Sequence, residues 1–85
     1  MERTVTLGSK SGLHARPAAI FVQKAKGFQS QVTLSKNEKT ANGKSILSVL
    51  TLGAEQGDQV VLKVDGGDAE FAIAKLASLL EEDLG

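Results

Sequence analysis

The chain has 85 residues, enough for one small two-layer domain and too few for two. Ten basic residues balance ten acidic ones, so the chain lacks the basic excess of a nucleic-acid-binding module. With no cysteine and one histidine it can form neither a disulfide framework nor a conventional zinc site, and no metal or cofactor is expected.

In chain order, Thr4 to Leu7 alternates polar and apolar residues, which predicts a strand burying Val5 and Leu7. Gly8 to Gly12 is a loop. It leads into Gly12-Leu13-His14-Ala15-Arg16-Pro17-Ala18, which holds the only histidine and the only proline of the chain. Proline is tolerated in the first turn of a helix, where its missing N–H would have no partner. A helix starting at about Ala15 to Pro17 places His14 at the positive end of that helix. An anion there would meet outward-pointing amides and the Arg16 guanidinium. A histidine in this position is either a surface or capping residue or a nucleophile beside a ready-made anion site, suited to accepting a phosphoryl group and passing it on.

The first helix is predicted to run from about Arg16 to Lys26 and to stop at Gly27. Ala18, Phe21, Val22 and Ala25 form its core stripe. Ile20 falls on the opposite face, in line with Arg16 and Gln23, as a scattered surface aliphatic or a partner contact. A strand over Gln31 to Ser35, a polar turn over Lys36 to Lys39 and a short strand over Thr40 to Asn42 follow. Ser45, a favoured N-cap residue, opens a short helix from Ile46 to Leu52, closed by Gly53. That helix is apolar nearly all round. Val49 and Leu52 can be buried together, leaving Ile46, Leu47 and Leu50 as an exposed second stripe.

Glu55 to Asp58 is a turn, and Gln59 to Val64 a strand with Val60, Leu62 and Val64 inward. Asp68 is the expected cap of a last helix from about Ala69 to Glu82, with Ala72, Ile73, Leu76, Leu79 and Leu80 on its buried stripe. Phe71 lies off the stripe and should be partly exposed. Helices mixed with half-apolar strands, with no consistent βαβ crossover, predict an α+β fold: an antiparallel sheet with helices on one face. No stretch reaches the length of a membrane span, and Met1, Glu2 and Arg3 lack the apolar core of a signal peptide, so a cytoplasmic location without a membrane partner is expected.

The His14 motif, together with Gly43-Lys44-Ser45-Ile46-Leu47 and the downstream Leu52-Gly53, resembles the HPr family of histidine-containing phosphocarriers of the bacterial phosphotransferase system. The resemblance covers essentially the whole chain. It implies an open-faced β-sandwich of four antiparallel strands covered by three helices, forming one HPr domain over residues 1–85, most simply a monomer. It also implies a carrier, not an enzyme: enzyme I, charged by phosphoenolpyruvate, phosphorylates His14 on Nδ1, and His14 passes the group to the IIA domain of an enzyme II. Ala15, Arg16 and Pro17 complete the motif. Ser11 either lends a hydrogen bond near the site or is a plain loop serine.

On this resemblance Ile20, Gln23, Ile46, Leu47 and Leu50 would form the docking patch beside Arg16. Ser45 matches the serine phosphorylated by HPr kinase/phosphorylase in low-GC Gram-positive members, which would bring in a catabolite-control regulator as a further partner; in other members the same serine serves only as a cap. The turn Asn37-Glu38 departs from the family's frequent Asn-Gly, and Ser48 stands where some members carry a basic residue. A paralogue of the nitrogen-related branch is the alternative, with the same chemistry and different partners.

Overall fold

Alternate residues along each strand are apolar, and they all turn to one side of a single sheet. The computed structural model describes residues 1–82. The elements follow in the order β1 (Glu2–Thr6), α1 (Ala15–Lys26), β2 (Gln31–Lys36), β3 (Lys39–Asn42), α2 (Ile46–Leu50), β4 (Gln59–Asp65) and α3 (Ala69–Glu81). Val5, Val32, Leu34, Ala41, Val60, Leu62 and Val64 are buried beneath the helices. Their outward neighbours Thr4, Thr6, Gln31, Thr40, Asn42, Gln59 and Lys63 are exposed. This is the half-apolar pattern of a sheet with one solvated face.

The strands lie in the order β1-β4-β2-β3, and every neighbouring pair is antiparallel. β1 and β2 therefore run parallel on either side of β4, and β3 and β4 run parallel on either side of β2. α1 and α2 are the crossovers of these two interleaved split βαβ units. The sequence predicts no such crossover, because the strand that splits each pair arrives from elsewhere in the chain. The resulting architecture is an open-faced α+β sandwich, a four-stranded antiparallel sheet covered on one face by three helices.

One core cluster joins the two layers, with Phe21, Leu34, Leu62 and Leu76 wholly buried in it. α3 packs on β1 and β4, α2 on β3, and α1 on both other helices. The β2–β3 hairpin pairs Lys36 with Lys39 around Asn37-Glu38, and Asn37 takes the left-handed conformation at φ 55°. Asparagine tolerates that region better than most residues, so the missing glycine does not prevent a tight turn.

Several boundaries differ from those expected. β1 begins at Glu2, which pairs with Lys63, and Leu7 lies outside the strand although it is buried. α2 is shorter than predicted and ends at Leu50; Thr51 donates its hydroxyl to the Ser48 carbonyl at 2.6 Å and Gly53 turns the chain at φ 61°. Leu50 is half-buried against the core instead of lying on an exposed stripe. Asp68 occupies the N-cap position of α3, but its carboxylate does not cap the helix. It accepts the amides of Gln29 and Ser30 and the Ser30 hydroxyl instead. Phe71 is exposed, with its ring edge-on to Phe28 at 5.9 Å and the Lys75 ammonium 5.7 Å from its centroid.

Candidate functional site

The segment before α1 is held by backbone contacts that leave His14 facing solvent. Leu7 exchanges two hydrogen bonds with the loop before β4, its amide donating to Asp58 and its carbonyl accepting from Gly57, each at 3.0 Å. Gly12 then adopts φ 63°, with its amide donating to the Ser9 carbonyl at 2.9 Å. A side chain at Gly12 would overlap the Ala54 carbonyl and the Glu55 backbone, so the close approach of the two loops requires glycine. Leu13 is buried and its amide donates to the Ala54 carbonyl at 2.9 Å. With Leu13 pinned inward, the next residue turns out.

His14 is the N-cap of α1, extended at φ −92° and ψ −164°, and its imidazole makes no capping bond. Its carbonyl accepts the first helical hydrogen bond, from Ala18 at 2.8 Å. The amides of Ala15 and Arg16 therefore precede the first bonded turn, and Pro17 occupies the last position whose N–H would go unpaired. The proline costs no helical bond there, and its buried ring packs inward while Ala15 and Arg16 remain exposed. No acidic residue lies in the first turn to compete for those amides. Neither the His14 ring nor the Arg16 guanidinium is tied up by a hydrogen bond or ion pair among the described residues. The arrangement is an exposed imidazole beside amides unpaired among the described residues, the positive helix end and an exposed cation.

Ser11 is exposed in the same loop and makes no hydrogen bond among the described residues. Ser9, which the sequence does not mark, is buried, and its hydroxyl has no partner among the described residues. Ser45 is the N-cap of α2, its hydroxyl accepting the Ser48 amide at 3.3 Å. The Ser48 hydroxyl in turn accepts the Asn42 amide at 2.8 Å, tying the helix start to the end of β3. Ile46 and Leu47 are exposed on α2, Leu47 at 78%, and Ile20 and Gln23 are exposed on α1. Ile20 and Gln23 line one shallow depression together with Lys24. Lys24, one turn beyond Ile20, could have been found from that spacing. Leu50 is the predicted patch residue that the structure mostly withdraws.

The sequence also gives no sign of the pair that supports this region. The Lys36 ammonium lies 2.9 Å from the Asp58 carboxylate and donates to the Gly53 carbonyl at 3.2 Å. The Lys36 hydrogen bond, joined by the Glu55 amide, holds the Asp58 carboxyl below the usual carboxylate range.

Comparison with known proteins agrees with this geometry. Residues 1–82 match the family described as PTS HPr component phosphorylation site. The phosphocarrier protein HPr of Streptomyces coelicolor is 45% identical over 84 residues, covering 98% of this chain and 90% of the relative. The HPr-like protein Crh of Bacillus subtilis is 40% identical over 84 residues, covering 99% of each chain. Among solved structures, an HPr from Thermoanaerobacter tengcongensis superposes with a TM-score of 0.91 at 47% identity, covering 95% of this chain and 91% of that one. The chain belongs to the HPr family, the phosphocarrier proteins of the phosphotransferase system, and is a phosphoryl carrier and not an enzyme.

Proposed function

We propose that this protein takes a phosphoryl group from enzyme I on Nδ1 of His14 and delivers it to the IIA domain of a sugar-specific enzyme II in the cytoplasm. The carrying observation is the exposed, uncommitted imidazole at the start of α1, with Arg16 two residues on and no acid in the first turn. In the first transfer the imidazole lone pair forms a new N–P bond as the donor's bond to phosphorus breaks; the second transfer reverses the roles. A phosphoimidazole is a high-energy species, so passage to another histidine costs little, whereas a phosphoserine would trap the group. The Ala15 and Arg16 amides and the Arg16 guanidinium neutralise the travelling charge, and Pro17 fixes the turn that presents them.

Ile20, Gln23, Ile46 and Leu47 form the docking surface in this reading, with Leu50 supporting it from below. A small apolar contact suits partners that must bind and leave quickly. The chain works as a monomer because each partner needs the same surface, and a single-chain mass in sedimentation is expected. Ser45 is the regulatory position. Phosphate there would keep the helix start, since α2 amides can receive it, yet would add about two negative charges beside the docking residues and weaken enzyme I binding. HPr kinase/phosphorylase and a catabolite-control regulator are the partners this implies.

The test is incubation with phosphoenolpyruvate and enzyme I, followed by mapping of acid-labile phosphate. Label on His14, lost in His14→Ala, supports the carrier role; label elsewhere, or retained in that variant, ends it. Arg16→Glu should slow transfer in both directions. A second reading is a nitrogen-branch paralogue with regulatory rather than sugar-transport partners, and the 40% identity to an HPr-like protein, Crh, fits it. The intact His14 motif favours the relay, and comparing sugar-branch with nitrogen-branch enzyme I separates the partners.

A further inference from the structure

We propose that Lys36 is a positioning residue for phosphoryl transfer: it pins both ends of the loop on which the His14 segment rests. The inference depends on the carrier role of His14. Lys36 sits at the end of β2, half-buried, and its ammonium reaches two points of the segment linking α2 to β4. It donates to the Gly53 carbonyl at 3.2 Å and pairs with the Asp58 carboxylate at 2.9 Å, the two ends of residues 53–58. The same carboxylate accepts the Glu55 amide at 2.9 Å, so the loop is closed on itself as well as anchored to the sheet.

This loop is the floor of the phosphoryl-acceptor segment. Its Ala54 carbonyl receives the Leu13 amide at 2.9 Å, and its Gly57 amide and Asp58 carbonyl hold Leu7 from both sides at 3.0 Å. Gly12 packs so closely over Ala54 and Glu55 that a Cβ would not fit. Leu7 and Leu13 are thus the two fixed ends of the segment, and His14 is the next residue after the second. A shift of the 53–58 loop moves the Leu13 amide, and with it the N-cap geometry that sets the imidazole against the amides of Ala15 and Arg16. Transfer between two proteins is sensitive to such displacements, because a misplacement of about 1 Å can cost on the order of a hundredfold in rate. Lys36 touches no phosphoryl group; it acts through Asp58 and Gly53.

The test uses Lys36→Met, which keeps the aliphatic stem, Asp58→Asn, which weakens the acceptor, and Lys36→Arg, which restores a cationic donor. Each is compared with wild type at a temperature where thermal melts show all four fully folded. Three quantities are read: exchange of the Leu13 amide, the His14 ring shifts, and the rate of His14 phosphorylation by enzyme I with phosphoenolpyruvate. The same rate is measured with phosphoramidate as a small-molecule phosphoryl donor. In Lys36→Met, Leu13 exchange should rise about tenfold or more and the His14 ring shifts should move, while the β4 amides of Leu62 and Val64 exchange as before. The enzyme I rate should fall several-fold, more than the phosphoramidate rate, and Lys36→Arg should recover most of it. A lower melting temperature with unchanged His14 shifts and an unchanged enzyme I rate would reduce Lys36 to a structural residue and overturn the proposal. Failure of wild type to take label on His14 would overturn the carrier role itself. A labelled wild type with an equally fast Lys36→Met overturns only the role of Lys36.

Discussion

The carboxylate of Asp68 accepts both the amide and the hydroxyl of Ser30, so the first residue of α3's cap region is bound to the residue that precedes β2. Gln29 adds its amide to the other oxygen at 2.9 Å. Ser30 is buried, and Gly66 lies so close over it that a Cβ at Gly66 would strike the Ser30 side chain. This junction joins the end of the α1 connection to the start of α3 without using a helical cap. Ser30→Ala removes the hydroxyl and leaves Asp68 Oδ1 with the Ser30 amide alone, so the fold should be destabilised. Urea unfolding of the variant should show a lower midpoint and an unchanged slope.

Asp68 and Asp58 should both contribute to the acid sensitivity of the fold. The Ser30 hydroxyl, followed by the Gln29 amide, holds the Asp68 carboxyl below the usual range, and the Lys36 ammonium does the same for Asp58. A carboxyl whose folded pKa is depressed contributes stability that is present above its unfolded value of about 3.9 and is lost as pH falls through the folded value. Stability should therefore be nearly level from about pH 5 upward as far as these two groups are concerned, and should decline as pH falls below about pH 4. In Ser30→Ala and Lys36→Met the fall should be shallower, since each variant lets one carboxyl return toward its ordinary value. Parallel acid melts of the three proteins check this; curves of identical steepness would remove both aspartates from the explanation.

Much of this was open to sequence reading because local patterns have local causes. Val60, Leu62 and Val64 at every second position predict a half-buried strand, and Ser45 before Ile46 marks a helix start. The placement of His14 and Arg16 at the start of α1 was legible because proline, glycine and the apolar stripe fix the helix start by themselves. The sheet order was not legible from periodicity, since strand neighbours are chosen by packing between distant segments. Asp68 was misread for a related reason: an aspartate before a helix caps it only if no better donors arrive, and the Gln29 and Ser30 amides do. Lys36 looked like part of a polar turn, because its partners Gly53 and Asp58 are far away in the sequence.

Gly12 carries a strict backbone requirement two residues before His14. Gly12→Ala would place a Cβ against the Ala54 carbonyl in a left-handed conformation. The cost should exceed about 1 kcal/mol, since strain and overlap act together. The Leu13–Ala54 hydrogen bond should suffer first, so the His14 ring shifts should move before the melting temperature has fallen far. A variant with native shifts would mean that the two loops separate without disturbing His14.

At Ser45 the capping and regulatory roles predict different orders of effect. The hydroxyl accepts the Ser48 amide at a long 3.3 Å, so Ser45→Ala should cost about 0.5 kcal/mol, at the low end for a lost cap. Ser45→Asp can still cap and should be at least as stable as Ser45→Ala. Its added charge, however, should slow transfer from enzyme I more than the alanine variant does. Equal rates for the two variants would leave Ser45 a cap alone.

Leu47 and Leu50 lie on the same short helix and should separate docking from packing. Leu47 is 78% exposed, whereas Leu50 packs partly against the core. Leu47→Ala removes apolar surface that folding does not bury, and its stability should stay within about 0.5 kcal/mol of wild type. Leu50→Ala loses packed methyl groups and should cost about 1–2 kcal/mol, below the range for a fully buried leucine. In transfer kinetics the order should reverse. If Leu47 inserts into enzyme I, its truncation should raise the KM for the carrier several-fold with little change in kcat, the signature of lost uniform binding. Leu50→Ala, measured where it is still folded, should change KM less. A Leu47→Ala variant with wild-type KM would place the docking surface elsewhere, and the exposed leucine would then need another explanation.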